Sequence, residues 1–125
     1  MSWVLHDSFW LSRGVRCVPK GRPRFGGGRV WTPVATRDYE RLLKDELCVR
    51  GVVKLEGVRV KIGLRFGRLR GDVDNYGKLF LDAFNGVLYD DDGCVDAIEF
   101  EKNCKLANGD YIDGVFVRVY VWGDA

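Results

Sequence analysis

Apolar and polar residues alternate strictly over Val58–Phe66, with Val58, Val60, Ile62, Leu64 and Phe66 on one side. A period of two predicts a half-buried strand. Its outward face carries Arg59, Lys61 and Arg65, either solvated or offered to nucleic acid. Val115–Trp122 is dense in β-branched and aromatic residues and predicts a buried strand. Trp3–Val18 alternates loosely and reads as one strand, or as two with a turn near Ser12–Gly14. Val95–Lys102 reads as a strand with Ile98, Phe100 and Lys102 on one face, and Val30–Thr32 as a short one.

Two segments change period. Tyr39, Leu42, Leu43 and Leu47 recur at helical spacing through about Val49. Thr36 offers an N-cap and Gly51 a stop; Glu40 lies one residue beyond the capping-box spacing. Leu79, Phe80, Ala83, Phe84 and Val87 form a second stripe, with Asp74-Asn75 as the start and Asn85-Gly86 as the stop. Strands interleaved with two main helices predict one α+β domain over residues 1–125 with a mixed sheet.

Between the first strands lies Pro19–Arg29, with two prolines and four glycines, which predicts no regular element. Lys20, Arg22, Arg24 and Arg29 project from it, and a basic glycine-rich loop suits close approach to a phosphate backbone. An ordinary solvated loop reads the same way. No Gly-Lys-Ser/Thr follows, so it is not a P-loop.

The polar face of the second helix carries Asp74, Lys78 and Asp82 four apart. Asp72 precedes it, and Asp90, Asp91 and Asp92 follow. Two acidic clusters joined by a rigid helix can converge on a hard cation such as Mg²⁺. The plainer alternative is solvated turns that cap the helix, with a weak Lys78–Asp82 surface pair. An EF-hand-like loop over Asp90–Glu101 fails, because Val95 stands where glycine is required.

The 125 residues are 46% apolar, which places the chain among globular proteins. No run approaches a membrane span, and the first ten residues lack a secretory pattern. Cys17, Cys48, Cys94 and Cys104 show no CxxC spacing, so reduced, part-buried thiols and a cytoplasmic location are expected. His6 is the only histidine, which leaves little for a Ser-His-Asp arrangement or a His-rich zinc site. The net charge of +2 hides an asymmetry. Residues 1–70 hold 16 Lys/Arg against 6 Asp/Glu, a balance of +10; residues 71–125 hold 4 against 12, a balance of −8. A phosphodiester-cutting enzyme would use such halves to neutralise phosphates and to hold a metal.

Two stretches together resemble the RusA family of Holliday junction resolvases, common in bacteria and their prophages. One is Pro19–Phe25, followed by Thr32-Pro33 and Tyr39; the other runs from Gly71 through Lys78 and Leu81–Tyr89 to Asp91-Asp92 and Val95. The resemblance implies a homodimeric, Mg²⁺-dependent α+β endodeoxyribonuclease with no small-molecule cofactor. It implies Asp72, Asp74 and the second aspartate of the Asp91-Asp92 pair as metal ligands, with Asp90 leaving the register open by one. It implies Lys78 as the catalytic lysine, beside Asp72, Asp74 and Asp92. Lys20, Arg22, Arg24, Arg29, Asn75 and Lys102 are the residues expected to meet DNA. The sequence departs from the family at Cys94, where glutamine is usual.

The chemistry fits these residue types: a carboxylate-held Mg²⁺ activates water, and a nearby ammonium stabilises charge on the phosphate. A two-fold dimer suits paired symmetric nicks in a four-way junction during recombination and repair. The competing readings are a non-catalytic nucleic-acid-binding module and a small-molecule phosphohydrolase. The basic half is more than a nucleotide needs.

Overall fold

A computed structural model describes residues 1–21, 24–26, 29–31 and 34–124. The strongest sequence patterns form one four-stranded mixed sheet: β1 (Ser2–Leu11), β4 (Val60–Phe66), β5 (Val95–Glu101) and β6 (Val115–Gly123). The strand order is β1-β6-β4-β5, antiparallel except for the parallel β4–β5 pair. The loosely alternating first segment is a single strand, with a register shift between Leu5 and Asp7. The strictly alternating segment enters the sheet at Val60, two residues later than its pattern begins.

The Pro/Gly-rich stretch does contain regular structure, contrary to expectation. β2 (Arg24–Gly26) and β3 (Arg29–Trp31) pair antiparallel, with Gly26 opposite Arg29. The two-glycine spacer in the sequence is itself a hairpin signal, which a reading based on breakers alone passes over. Arg22 lies outside the described residues, as do Thr32 and Pro33.

α1 (Val34–Arg50) starts two residues before Thr36, so Thr36 does not cap it. Thr36 is buried instead, and its hydroxyl accepts a hydrogen bond from the Gly21 N–H at 3.0 Å. α2 (Val73–Phe84) connects β4 to β5, the crossover that a parallel pair requires. Both helices cover the same sheet face. Leu43 and Leu47 of α1 and Leu79, Phe80 and Phe84 of α2 are fully buried against Val60, Ile62, Leu64 and Phe66 of β4 and Val115, Val117 and Val119 of β6. The Lys44 ammonium donates to the Ala83 and Asn85 carbonyls at 3.1 and 3.2 Å, satisfying acceptors at the C-terminal end of α2. No helix among the described residues is long and apolar enough to cross a membrane.

All four cysteines are free. Cys48 is exposed rather than part-buried, because it sits on the solvent side of α1.

Candidate active site

Glycine 71, at φ 98°, turns the chain into α2 in a conformation that side chains rarely adopt. The helix begins at Val73, with Asp72 rather than Asp74 in the cap position, although the Asp72 side chain makes no cap bond. Asp74 stands in the first turn, and a carboxylate there is favoured by the helix dipole. Asp72, Asp74, Asn75 and Lys78 are all exposed on this end of the helix. Their positions follow from the apolar stripe: Leu79, Phe80, Ala83 and Phe84 face the core and turn the polar set outward.

The helix is held close to β5 at Gly77. A Cβ there would lie 2.3 Å from the Phe100 ring, so no side chain fits without displacing it. Gly77→Ala should therefore destabilise the fold by about 1–3 kcal/mol, with Phe100→Leu restoring part of the loss in a chemical denaturation series. Past the end of β5, the Lys102 ammonium donates to the Gly71 carbonyl at 2.7 Å. Lys102 thus fastens the turn that carries Asp72.

The basic segment docks on the same helix. The Lys20 N–H donates to the Asn75 carbonyl at 2.9 Å, and the Lys20 ammonium lies 2.8 Å from an Asp82 carboxylate oxygen. Asp82 is therefore paired with Lys20, not with Lys78 as the surface-pair alternative has it. Arg24 and Arg29 belong to the β2–β3 hairpin that follows.

The second acidic stretch resolves into three different environments. Asp90 is paired with Lys54 at 3.0 Å, and that hydrogen bond raises the pKa of the Lys54 ammonium. The Asp91 carbonyl accepts the Cys94 N–H at 3.1 Å and closes a single 3₁₀ turn, Asp92–Cys94. Asp92 borders a shallow depression with Leu81, Val95 and Ala97. Tyr89, fully buried, donates to the Leu81 carbonyl at 3.2 Å. Burial, and then the negative charge of Asp92, raise the Tyr89 pKa well above its ordinary value. Tyr89, the last residue of the Leu81–Tyr89 stretch, was not singled out in the sequence, since a tyrosine after a helix stop reads as core; the structure places it beside Asp92.

β5 runs back along α2, with Lys102 at Gly71, Phe100 at Gly77 and Ile98 beside Leu81. Asp72 and Asp74 therefore lie toward one end of the helix, and Asp92 toward the other. Asp74 and Leu81 are about 10 Å apart along the axis. Among the described residues no three His, Cys, Asp or Glu side chains stand close enough to hold one ion. Chemically the set fits a hard divalent cation, since it offers only carboxylate oxygens. Asp72 and Asp74 stand two residues apart at the start of α2.

Part of the charge asymmetry of the sequence is taken up by five ion pairs between the two halves. Lys20–Asp82, Lys54–Asp90, Arg59–Asp96, Lys61–Glu99 and Arg65–Glu101 each join a cation of the basic half to a carboxylate of the acidic half.

No curated protein gives a significant match to the chain. A family model described as Endodeoxyribonuclease RusA matches residues 15–120, a span that takes in the basic segment, α2 with Asp72, Asp74 and Lys78, and the second acidic turn. The motifs and the α+β fold agree with that match over most of the sequence, and the chain belongs to the RusA family of endodeoxyribonucleases.

Proposed function

We propose that the protein is an Mg²⁺-dependent endodeoxyribonuclease that resolves four-way DNA junctions by paired nicks, acting as a homodimer. The observation that carries this reading is the exposed grouping of Asp72, Asp74 and Lys78 on the first turns of α2, within the segment matched by the family model. Asp72 and Asp74 would hold the metal, with Asp92 or its neighbour Asp91 as the third ligand. Asp90 is the weakest choice of the three, since Lys54 already engages it. Bound there, Mg²⁺ supplies a more acidic water and positive charge at the scissile phosphate.

Lys78 lies one turn beyond Asp74 on the same helix face, where its ammonium can meet a non-bridging phosphate oxygen. Asn75 presents a neutral amide between them for a sugar or phosphate contact. Lys102 acts indirectly, by holding the Gly71 carbonyl and with it the turn that aims Asp72. Lys20 has two demands on it, the Asp82 carboxylate and a phosphate; Arg22, Arg24 and Arg29 would be the further basic residues of this segment that meet DNA.

Incubation with a synthetic four-way junction, a linear duplex and a nucleotide triphosphate, each in Mg²⁺ or EDTA, tests the reading. The expected result is symmetric nicking of the junction in Mg²⁺ alone. Junction binding without nicking would leave a binding module, and phosphate release from the nucleotide would leave a phosphohydrolase. Sedimentation should give twice the 14.2 kDa chain mass at micromolar concentration. An active species at the single-chain mass would remove the dimer from the proposal.

A further inference from the structure

Both helices cover one face of the four-stranded sheet, and among the described residues no helix or strand covers the other. Strand register brings six large side chains onto that open face: Trp3 and Trp122 at one end, Trp10 and Phe116 at the other, and Tyr120 and Arg118 between. All six are only half-buried. Each aromatic group has a cation over it. Arg59 stands 4.8 Å from the Trp122 ring, Lys61 5.1 Å from Tyr120, Arg118 5.3 Å from Phe116 and Arg13 4.5 Å from Trp10. Gly63 leaves a floor without a side chain between Arg118 and Glu99, and a trough of about 760 Å³ opens there.

We infer that this open sheet face binds an unpaired DNA strand, with its rings stacking on bases and its guanidinium groups holding phosphates. Aromatic side chains on an exposed sheet stack bases of single strands, because every base has a π-face. A duplex hides those faces. The charges point to a polyanion rather than to a second copy of this chain. Arg118, Lys61 and Arg65 sit on the central strands β6 and β4, whereas the carboxylates Asp96, Glu99 and Glu101 are confined to the edge strand β5. Over the whole face Arg13, Arg59, Lys61, Arg65 and Arg118 outnumber Asp96, Glu99 and Glu101, so two copies packed face to face would bring like net charges together. The carboxylates are already engaged by Arg59, Lys61 and Arg65. Arg13 and Arg118 have no carboxylate at ion-pair distance among the described residues.

This inference goes beyond the endonuclease reading and needs no metal. Its test is made in EDTA on the whole chain, with a labelled oligothymidylate of about 16 nucleotides, the upper site size of a single module. Three of the four tryptophans lie on this face, so binding should quench their emission. Trp122→Leu and Trp10→Leu should each weaken binding by about 5- to 100-fold, the scale of one lost base stack. Arg118→Glu, on the surface and away from the core, should weaken it too and flatten the slope of log affinity against log salt by about one unit or more. A blunt duplex should bind more weakly than the single strand. Unquenched emission, or wild-type affinity in Arg118→Glu and Trp122→Leu, overturns the inference. So does a fall in sedimenting mass in those variants with strand binding unchanged, which would assign the face to a second copy. Because the readout excludes metal, its failure leaves the cleavage proposal standing, and the loss of cleavage leaves this one.

Discussion

Asp74→Asn should bind a four-way junction in EDTA as well as the parent does, or slightly better, and should cut it in Mg²⁺ about 10²-fold more slowly or worse. The substitution keeps the size of the side chain in the first turn of α2 and removes one charge. Without metal, that charge repels the DNA backbone. With metal, it is one preorganised electrostatic group, and the loss of one such group costs rates on this scale. Asp92→Asn should behave likewise. Lys78→Ala should lose cleavage and some binding, because a cation goes. Asp90→Asn and Asp82→Asn should retain cleavage within a few-fold, since Lys54 and Lys20 engage those carboxylates and Asp82 lies two turns beyond Asp74. Single-turnover cleavage, junction affinity in EDTA and melting temperature are measured on every variant. Normal cleavage by Asp74→Asn would remove the acidic cluster from the active site.

Phe80→Ala should destabilise the fold by about 3–5 kcal/mol, a large share of the total for a domain of this size. Phe80 is fully buried and packs edge-on against three rings, Tyr39 at 6.0 Å, Phe66 at 5.4 Å and Phe84 at 6.2 Å. It therefore joins α1, β4 and the rest of α2, and its truncation opens a cavity where all three meet. A melting temperature lower by more than about 10 °C is expected in a calorimetric scan. A change of only a few degrees would mean that the helices close over the gap. Because α2 also carries Asp72, Asp74 and Lys78, any cleavage defect in this variant should recover at lower temperature, where the fold is populated.

Much of this architecture was legible because burial imposes a period. Strict alternation over Val58–Phe66 and the β-branched run Val115–Trp122 mark the two central strands, and both helices follow from apolar stripes with glycine after their ends. Boundaries were less legible. Thr36 has the chemistry of a cap, yet it bonds to Gly21 from within α1, a partner fifteen residues away that no local spacing reveals. Of the β2–β3 hairpin, the second strand was legible at Val30–Trp31, whereas the first was hidden because glycine and proline signal both turns and the absence of structure.

For the site, the sequence by itself determined which residue types sit together: Asp72, Asp74 and Lys78 share an exposed helix end because the opposite stripe must be buried. Such an argument reaches only as far as one element. Only the tertiary structure decided that Asp82 belongs to Lys20, that Asp90 belongs to Lys54, and that Lys102 fastens Gly71, because each pair is made between elements. It also decided that the +10 and −8 halves interleave as ion pairs, since β4 of the basic half lies beside β5 of the acidic half. The open aromatic face belongs to the structure for the same reason. Alternation shows that a strand has two faces, but only the packing of both helices on one side leaves the other without a covering helix or strand among the described residues.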